Sequence, residues 1–341
     1  MNGVHEIRKP YLLLVGDVEN PINAKTAFGL RDWVPEVCLG QLRFTKRAVD
    51  LRLCDLSLRE AVVRGAKTLV IGIAPPGGQL PLSWREVLVE ALEAGLDLVA
   101  GLHQRLASIP EVASCAKRLG RQISDVRHCE LRFPVGTGIR RSGLRLLTVG
   151  TDCVVGKKYT ALAIAKAMAA RGHRVDFRAT GQTGILISGR GLAVDAVASD
   201  FLSGAAEALS PANTPYHWDI IEGQGSLFHP AYAGVTLGLL HGSQPDALVL
   251  CHEVGRNTLA SFPHVPVVAL EHAMAAYVSA AQLTNPNPRF VGIALNTSSL
   301  SGQDAGNVLS STAERFRLPC VDPIRTGVEP IVDVLEQLNA C

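Results

Sequence analysis

The sequence predicts an α/β protein of two domains, each organised on a mostly parallel sheet. Short apolar runs rich in β-branched residues alternate with longer helix-patterned segments from end to end, which is the mark of βαβ units. At 341 residues the chain can build two cores on a prior of about 150 residues per domain. The boundary falls in Pro134–Ser142, PVGTGIRRS, a basic Gly/Pro-containing stretch followed at once by a new apolar run. This gives an N-terminal domain over 1–138 and a C-terminal domain over 139–341.

In the first domain the apolar runs Tyr11–Val15, Thr68–Ile73 and Leu96–Val99 read as strands, with helices over Leu56–Arg64 and Ser83–Ala94. In the second, strands are expected at Leu144–Val149, Arg174–Arg178, Asp219–Ile221, Ala247–Leu250, Val265–Leu270 and Phe290–Leu295. Helices are expected over Lys157–Ala170, Val194–Leu202, Met274–Gln282, Ala305–Arg315 and Ile331–Leu338. Gly16–Asp17 after the first strand is not a GxGxxG fingerprint, so dinucleotide binding has little support there.

With 33 basic against 31 acidic residues and a formal net charge of +2, neither nucleic acid nor a lipid surface is indicated as a partner. The 8 cysteines occur singly, without a CxxC pair or zinc-like spacing to histidine, which fits a reducing, cytoplasmic setting. No stretch approaches the roughly 18 apolar residues a membrane helix needs, so a small-molecule partner is expected. A 47% apolar composition leaves room for a subunit interface, and a homo-oligomer is expected.

Chemistry concentrates in GTDCVVGKKYT, Gly150–Thr160. A phosphate loop needs a delivering strand, glycines that let successive N–H groups face one anion, a lysine, and a helix whose N-terminal dipole favours negative charge. Leu144–Val149, Gly150, Gly156, Lys157 and the Ala-rich segment after them supply these, so Gly150, Thr151, Asp152, Cys153, Val154, Val155, Gly156, Lys157, Lys158, Tyr159 and Thr160 form the candidate phosphate site. The G-x5-G-K spacing is one residue longer than the common P-loop, and the loop resembles that of dethiobiotin synthetase through GTD and VGK. In an NTPase the Ser or Thr after the lysine ligates magnesium, whereas here Lys158 stands there. Thr160, two residues on, lies on another side of the helix. Pyrophosphate binding through backbone N–H groups and two lysines is therefore expected, with no metal.

Four further segments follow predicted strands. In WDIIEGQGSLFHP, Glu222 and Gln224 sit at a strand end; dethiobiotin synthetase carries a similar strand-EGxGG segment, and by that resemblance Glu222 lies beside the loop. In ATGQTGILISGRGLAVDAVASDF, Gln182, Arg190, Asp195 and Asp200 are substrate candidates at the carboxyl edge of a sheet, Arg190 suiting a carboxylate; Asp195 equally suits a helix cap. LCHEVGRNTL places His252, a candidate general base, and Arg256 directly after a strand, while His229 and His241 are weaker candidates. Asn296 either meets a nucleotide base or caps a helix. Cys153 is either a nucleophile at a helix N-terminus or a packed, inert thiol.

Taken together, GQLR, APPGG, GLDLVAGLHQRL, GTDCVVGK, TGQTGILISGRG, EGQGSLFHP and LCHEVGR resemble the DgcN-type D-glutamate N-acetyltransferase family, long held to be of unknown function. The resemblance covers nearly the full chain. It implies a Rossmann-like N-terminal domain, a P-loop NTPase-like C-terminal α/β sandwich, and acetyl transfer from acetyl-CoA to the amine of D-glutamate in D-amino acid catabolism, beside an enolase-superfamily enzyme. Coenzyme A carries a pyrophosphate and a 3′-phosphate, which a P-loop without its magnesium hydroxyl could hold. The catalytic candidates are then His252 and Glu222 as base, with Gly223–Gly225 backbone as oxyanion donors and Arg190 or Arg256 on substrate carboxylates.

Overall fold

A computed structural model describes residues 7–128 and 131–339; Cys129 and Cys341 lie outside them. The chain forms two compact units, one of Met1–Leu131 with Gly181–Ala196, the other of Arg132–Thr180 with Val197–Cys341. The inserted segment 181–196 thus belongs with the first unit, which the division at 138/139 does not anticipate.

The first unit runs β1 (Tyr11–Gly16), α1 (Lys25–Trp33), β2 (Cys38–Arg43), α2 (Leu58–Val63), β3 (Thr68–Ile71), α3 (Arg85–Glu93), β4 (Asp97–Ala100), α4 (Pro110–Leu119) and β5 (Ile123–Asp125). Its sheet is parallel throughout, in the order β2-β1-β3-β4-β5. β1, β3 and β4 are buried along their whole length, as a sheet covered on both faces requires. α2 starts where Ser57 and Glu60 form a capping box.

Such a sheet binds ligands at the crevice where strand order reverses, here between β1 and β3. That crevice is plugged. Gly16 adopts φ +64°, and a Cβ there would lie 2.0 Å from Trp84. The fully buried Trp84 indole donates to Asp17 at 3.1 Å. An aromatic ring thus occupies the place where a dinucleotide fold brings backbone to pyrophosphate, consistent with the missing fingerprint.

The second unit comprises β6 (Leu144–Gly150), α5 (Lys157–Ala170), β7 (Val175–Arg178), then, after α6 (Gln182–Ser188) of the inserted segment, α7 (Ser199–Leu209), β8 (Trp218–Ile221), α8 (Ala233–Ser243) and β9 (Ala247–Glu253). A hairpin, β10 (Thr258–Leu259) and β11 (Phe262–Pro266), precedes α9 (Leu270–Ala281), β12 (Arg289–Asn296), α10 (Gly302–Phe316), β13 (Cys320–Val321) and α11 (Glu329–Asn339). The main sheet is parallel in the order β13-β12-β9-β6-β8-β7, which places β6 inside it. Its core gathers Leu146, Ile164, Met168, Trp218, Val249 and Ile331. Burying each such side chain contributes about 1.5–3 kcal/mol.

Two expected elements are corrected. Val265–Leu270 is not a strand: the extended residues are Phe262–Pro266, paired antiparallel with β10, and Leu270 begins α9. Pro263 and Pro266 lack the N–H groups that a central ladder needs. The helix expected over Val194–Leu202 is a single 3-10 turn at Val194–Ala196 followed by α7 from Ser199. The basic stretch before β6 is strapped to the second unit, since Arg141 donates to the carbonyls of Ser210 at 2.9 Å and Gly242 at 2.7 Å.

Candidate active site at the β6–α5 loop

The loop begins where β6 ends, with β9 on one side and β8 on the other. Lys157 is the first residue of α5, and Gly156 before it takes φ +104°, open to glycine but hardly to other residues. The Lys157 side chain is only 6% exposed and folds back so that Nζ donates to the Asp152 carbonyl at 2.6 Å. Burial pushes its pKa down, against the pull of Cys153, Cys251 and Asp152. A phosphate bound here would offset the cost of burying this ammonium.

Asp152 faces inward. Its carboxylate accepts from the Cys153 N–H at 2.6 Å, from Arg256 at 2.7 Å and from the Ala260 N–H at 2.7 Å. Arg256 also pairs with Glu253 and donates to the Cys153 carbonyl at 3.0 Å. Burial disfavours the Arg256 charge, but Asp152 and Glu253 outweigh it and hold its pKa above the ordinary value. Asp152, expected as a phosphate contact, and Arg256, expected as a substrate contact, form an ion pair with each other that also ties Arg256 to the loop backbone at Cys153.

The magnesium position is altered as the sequence indicates. Lys158 is half-buried, its ammonium 5.3 Å from the Tyr159 ring centre. Thr160 is buried, and its hydroxyl donates to the Gly156 carbonyl at 3.1 Å and accepts from the Cys251 thiol at 3.5 Å. Neither residue offers the hydroxyl that a nucleotide-bound metal uses.

Glu222, next to the end of β8, is 4% exposed, and its Oε2 accepts from the Thr180 N–H at 3.0 Å. Thr180 Oγ1 donates to the Glu222 carbonyl at 2.7 Å and accepts from Gln224 at 3.1 Å. Gly223 abuts the loop: its N–H donates to Thr148 Oγ1 at 3.0 Å, and a Cβ there would lie 1.7 Å from the Thr148 carbonyl and 3.0 Å from Lys157 Cδ. The expectation that Gly223 donates to an oxyanion is corrected, because Thr148 already takes that proton. Gly223→Ala is expected to cost about 3 kcal/mol or more by overpacking, read as a lowered melting temperature. Gly306→Ala in α10, where a Cβ meets nothing, should instead gain up to about 1 kcal/mol.

On the other side of β6, His252 Nδ1 lies 2.9 Å from Thr151 Oγ1. Burial lowers its pKa, with Arg256 acting in the same sense, so the ring is held neutral near pH 7 and able to accept a proton. Glu222 and His252 flank the loop from opposite sides, two strand spacings or roughly 10 Å apart along the sheet. Gln182, Arg190 and Asp195 belong to the first unit. There Gln182 packs over Gly101, Asp195 pairs with the buried Arg127, and Arg190 closes a turn with Ser188. Asp200 is exposed in the first turn of α7. Asn296 Oδ1 accepts from the Ser298 N–H at 3.1 Å in a local turn and does not cap the following helix, whose N-cap is Ser301; His241 lies on the backbone of α9.

Two contributors had little or no sequence signal. Tyr277, buried on α9, donates to the Gly150 carbonyl at 2.8 Å and fixes the start of the loop; nothing near it in sequence marks it. His229, 1% exposed, stacks on Tyr232 with ring centres 4.5 Å apart. One of its ring nitrogens, the Cys153 sulfur and an Asp152 oxygen lie within 4.8 Å of one another. The Arg256 guanidinium already takes the cation's place on Asp152, so this cluster is not built as a metal cradle.

A parallel sheet whose inner strand delivers a lysine-bearing glycine loop to a helix N-terminus defines a P-loop domain, here carried in one chain with a Rossmann-like unit. Residues 134–332 match the family model for the DUF1611 C-terminal P-loop domain and residues 45–129 that for its N-terminal Rossmann-like domain, both described as of unknown function. The chain belongs to the DUF1611 family. It is 48% identical over 327 residues to a Pseudoalteromonas sp. protein named D-glutamate N-acetyltransferase, spanning 96% of this chain and 98% of that one. A protein of the same name from Tritonibacter scottomollicae is 47% identical over 329 residues, or 96% and 99% of the two chains. The crystal structure of a DUF1611 protein from Anabaena variabilis superposes with a TM-score of 0.88 at 34% identity, covering 97% of this chain and all of that one.

Proposed function

We propose that this chain is a D-glutamate N-acetyltransferase that draws its acetyl group from acetyl-CoA. The observation that carries the reading is near-full-length similarity to two proteins of that name, combined with a phosphate loop that has a lysine in place of the magnesium hydroxyl. Phosphates of CoA are held by loop N–H groups, Lys157 and Lys158, with no phosphoryl transfer and no metal required.

Amide formation needs the substrate ammonium to lose a proton before its nitrogen attacks the thioester carbonyl. His252 is the base: Thr151 orients its ring, and burial keeps it neutral. The Glu222 carboxylate, bound to the Thr180 N–H, organises the opposite wall with Gln224. Arg256 is committed to Asp152 and Glu253 rather than to a substrate carboxylate. The same reading places the protein in the cytoplasm, as a homo-oligomer in D-amino acid catabolism whose product passes to an enolase-superfamily enzyme.

The test is free-thiol release from acetyl-CoA in EDTA, with D-glutamate or L-glutamate as acceptor. Release that needs D-glutamate is expected. No release with either, together with ADP formation once ATP and magnesium are supplied, would favour a ligase of the dethiobiotin synthetase type; binding without any turnover would favour a nucleotide-sensing regulator.

A further inference from the structure

We infer that His229 is a further phosphate-binding residue of this site, its Nε2–H donating to the anion that the β6–α5 loop holds. The inference deepens the proposed function and rests on that reading of the loop.

His229 lies in the turn between β8 and α8, where its N–H donates to the Ser226 carbonyl at 3.1 Å and its carbonyl accepts from Ala233 at 3.1 Å. It is only 1% exposed, and its ring is clamped, stacked on Tyr232 with centres 4.5 Å apart and edge-on to Phe262 at 4.9 Å. Packing on two sides fixes the plane of the imidazole, so its two nitrogens have separate roles. Nδ1 accepts from the Ala231 N–H at 3.2 Å, so it is bare and the neutral ring carries its proton on Nε2. Nε2 has no partner among the described residues, and it is not sealed off as the orphan nitrogens of His128 and His217 are.

The ring borders the phosphate loop. One of its nitrogens, an Asp152 carboxylate oxygen and the Cys153 sulfur lie within 4.8 Å of one another, and Lys157 is close enough to act on the ring electrostatically. Asp152 is not the acceptor for Nε2, since that carboxylate is taken by Arg256 and by the N–H groups of Cys153 and Ala260. Burial pushes the His229 pKa down; Asp152 opposes this and Lys157 adds to it. The ring therefore donates without bringing a charge, beside a lysine that brings one. A donor so nearly buried is costly to leave unpaired, and an oxygen of a bound phosphate would pair it. A metal ion has no use for this ring, because Nδ1 is taken and Nε2 carries a proton. In P-loop NTPases a metal ion takes up phosphate oxygens alongside the lysine. With Lys158 in place of the hydroxyl that holds such a metal, His229 takes one of those oxygens instead.

The experiment separates the two nitrogens by substitution. Asparagine places its carbonyl oxygen near Nδ1 and keeps the Ala231 bond, with nothing at Nε2; glutamine places its amide nitrogen near Nε2 and keeps the donor. Wild type, His229→Asn and His229→Gln are titrated calorimetrically with CoA, dephospho-CoA and inorganic pyrophosphate, and melted. His229→Asn should bind CoA roughly 10- to 100-fold more weakly at a melting temperature close to wild type, because a hydrogen bond to a charged group is lost while the turn is kept. His229→Gln should stay within a few-fold of wild type. If dephospho-CoA and pyrophosphate respond to His229→Asn as CoA does, the donor serves the diphosphate; if CoA alone responds, it serves the 3′-phosphate. On the wild-type protein, whatever the folding of the variants, saturating CoA should shift the nitrogen NMR signal of His229 Nε2 while the proton stays on it. CoA affinity in His229→Asn equal to wild type, an Nε2 signal that CoA leaves unmoved, or equal losses in both variants would overturn the inference and leave the phosphate loop standing. A wild-type protein that binds neither CoA nor pyrophosphate would remove the reading on which it rests.

Discussion

Lys157→Met is expected to weaken CoA binding roughly 10²-fold while leaving the melting temperature at or above that of the wild type. Charge-assisted hydrogen bonds contribute about 1.5–3 kcal/mol each, and the upper end corresponds to that loss. The stability side has the opposite sign. Burial depresses the Lys157 pKa, so folding carries an unfavourable term for its charge at every pH below the lowered value. That term fades as pH rises through the lowered value and the amine becomes neutral. Methionine removes it and keeps most of the volume, at the loss of one hydrogen bond to the Asp152 carbonyl. Calorimetric titration and thermal melting on one preparation read both effects. A melting temperature that falls as far as the affinity would make Lys157 a structural residue.

Asp152→Ala should destabilise the second unit by about 3–5 kcal/mol, because it leaves a guanidinium with only 15% side-chain exposure without its main partner and strands the Ala260 N–H. For a unit of this size the melting temperature should drop by about 10 °C. The double variant Asp152→Ala, Arg256→Met should recover a large part of that drop, since the unpaired charge is gone. If the two substitutions were merely additive, the ion pair would not be the cause. Acetyl transfer should fall with the single variant even well below its melting temperature, because Asp152 also fixes the Cys153 N–H at the start of the loop.

What could be read from the sequence follows the range of the interactions. The strand-loop-helix around Lys157 is local, and so were its lysine, its glycines and the missing hydroxyl at Lys158. β2 and β5 escaped notice because CLGQLR and ISD are short and mixed in polarity, strands only by virtue of their neighbours in the sheet. Segment 181–196 lies within the C-terminal sequence but packs with the first unit, held by Thr26–Thr183 and Arg127–Asp195 contacts that bridge residues far apart along the chain. The inward turn of Asp152 toward Arg256 depends on a contact 104 residues away, so an aspartate in a phosphate loop read naturally as a ligand contact. His229 is drawn to Cys153 only by tertiary packing, and no periodicity marks it.

On the proposed function this loop holds CoA phosphates without a metal. Isothermal titration of the wild-type protein with CoA in excess EDTA tests it most directly, followed by ATP with and without magnesium. The account predicts one CoA site per chain that EDTA leaves intact and that Lys157→Met weakens, with ATP affinity no greater when magnesium is present. CoA binding that appears only with magnesium, or ATP binding that magnesium tightens and that ends in ADP, would contradict it.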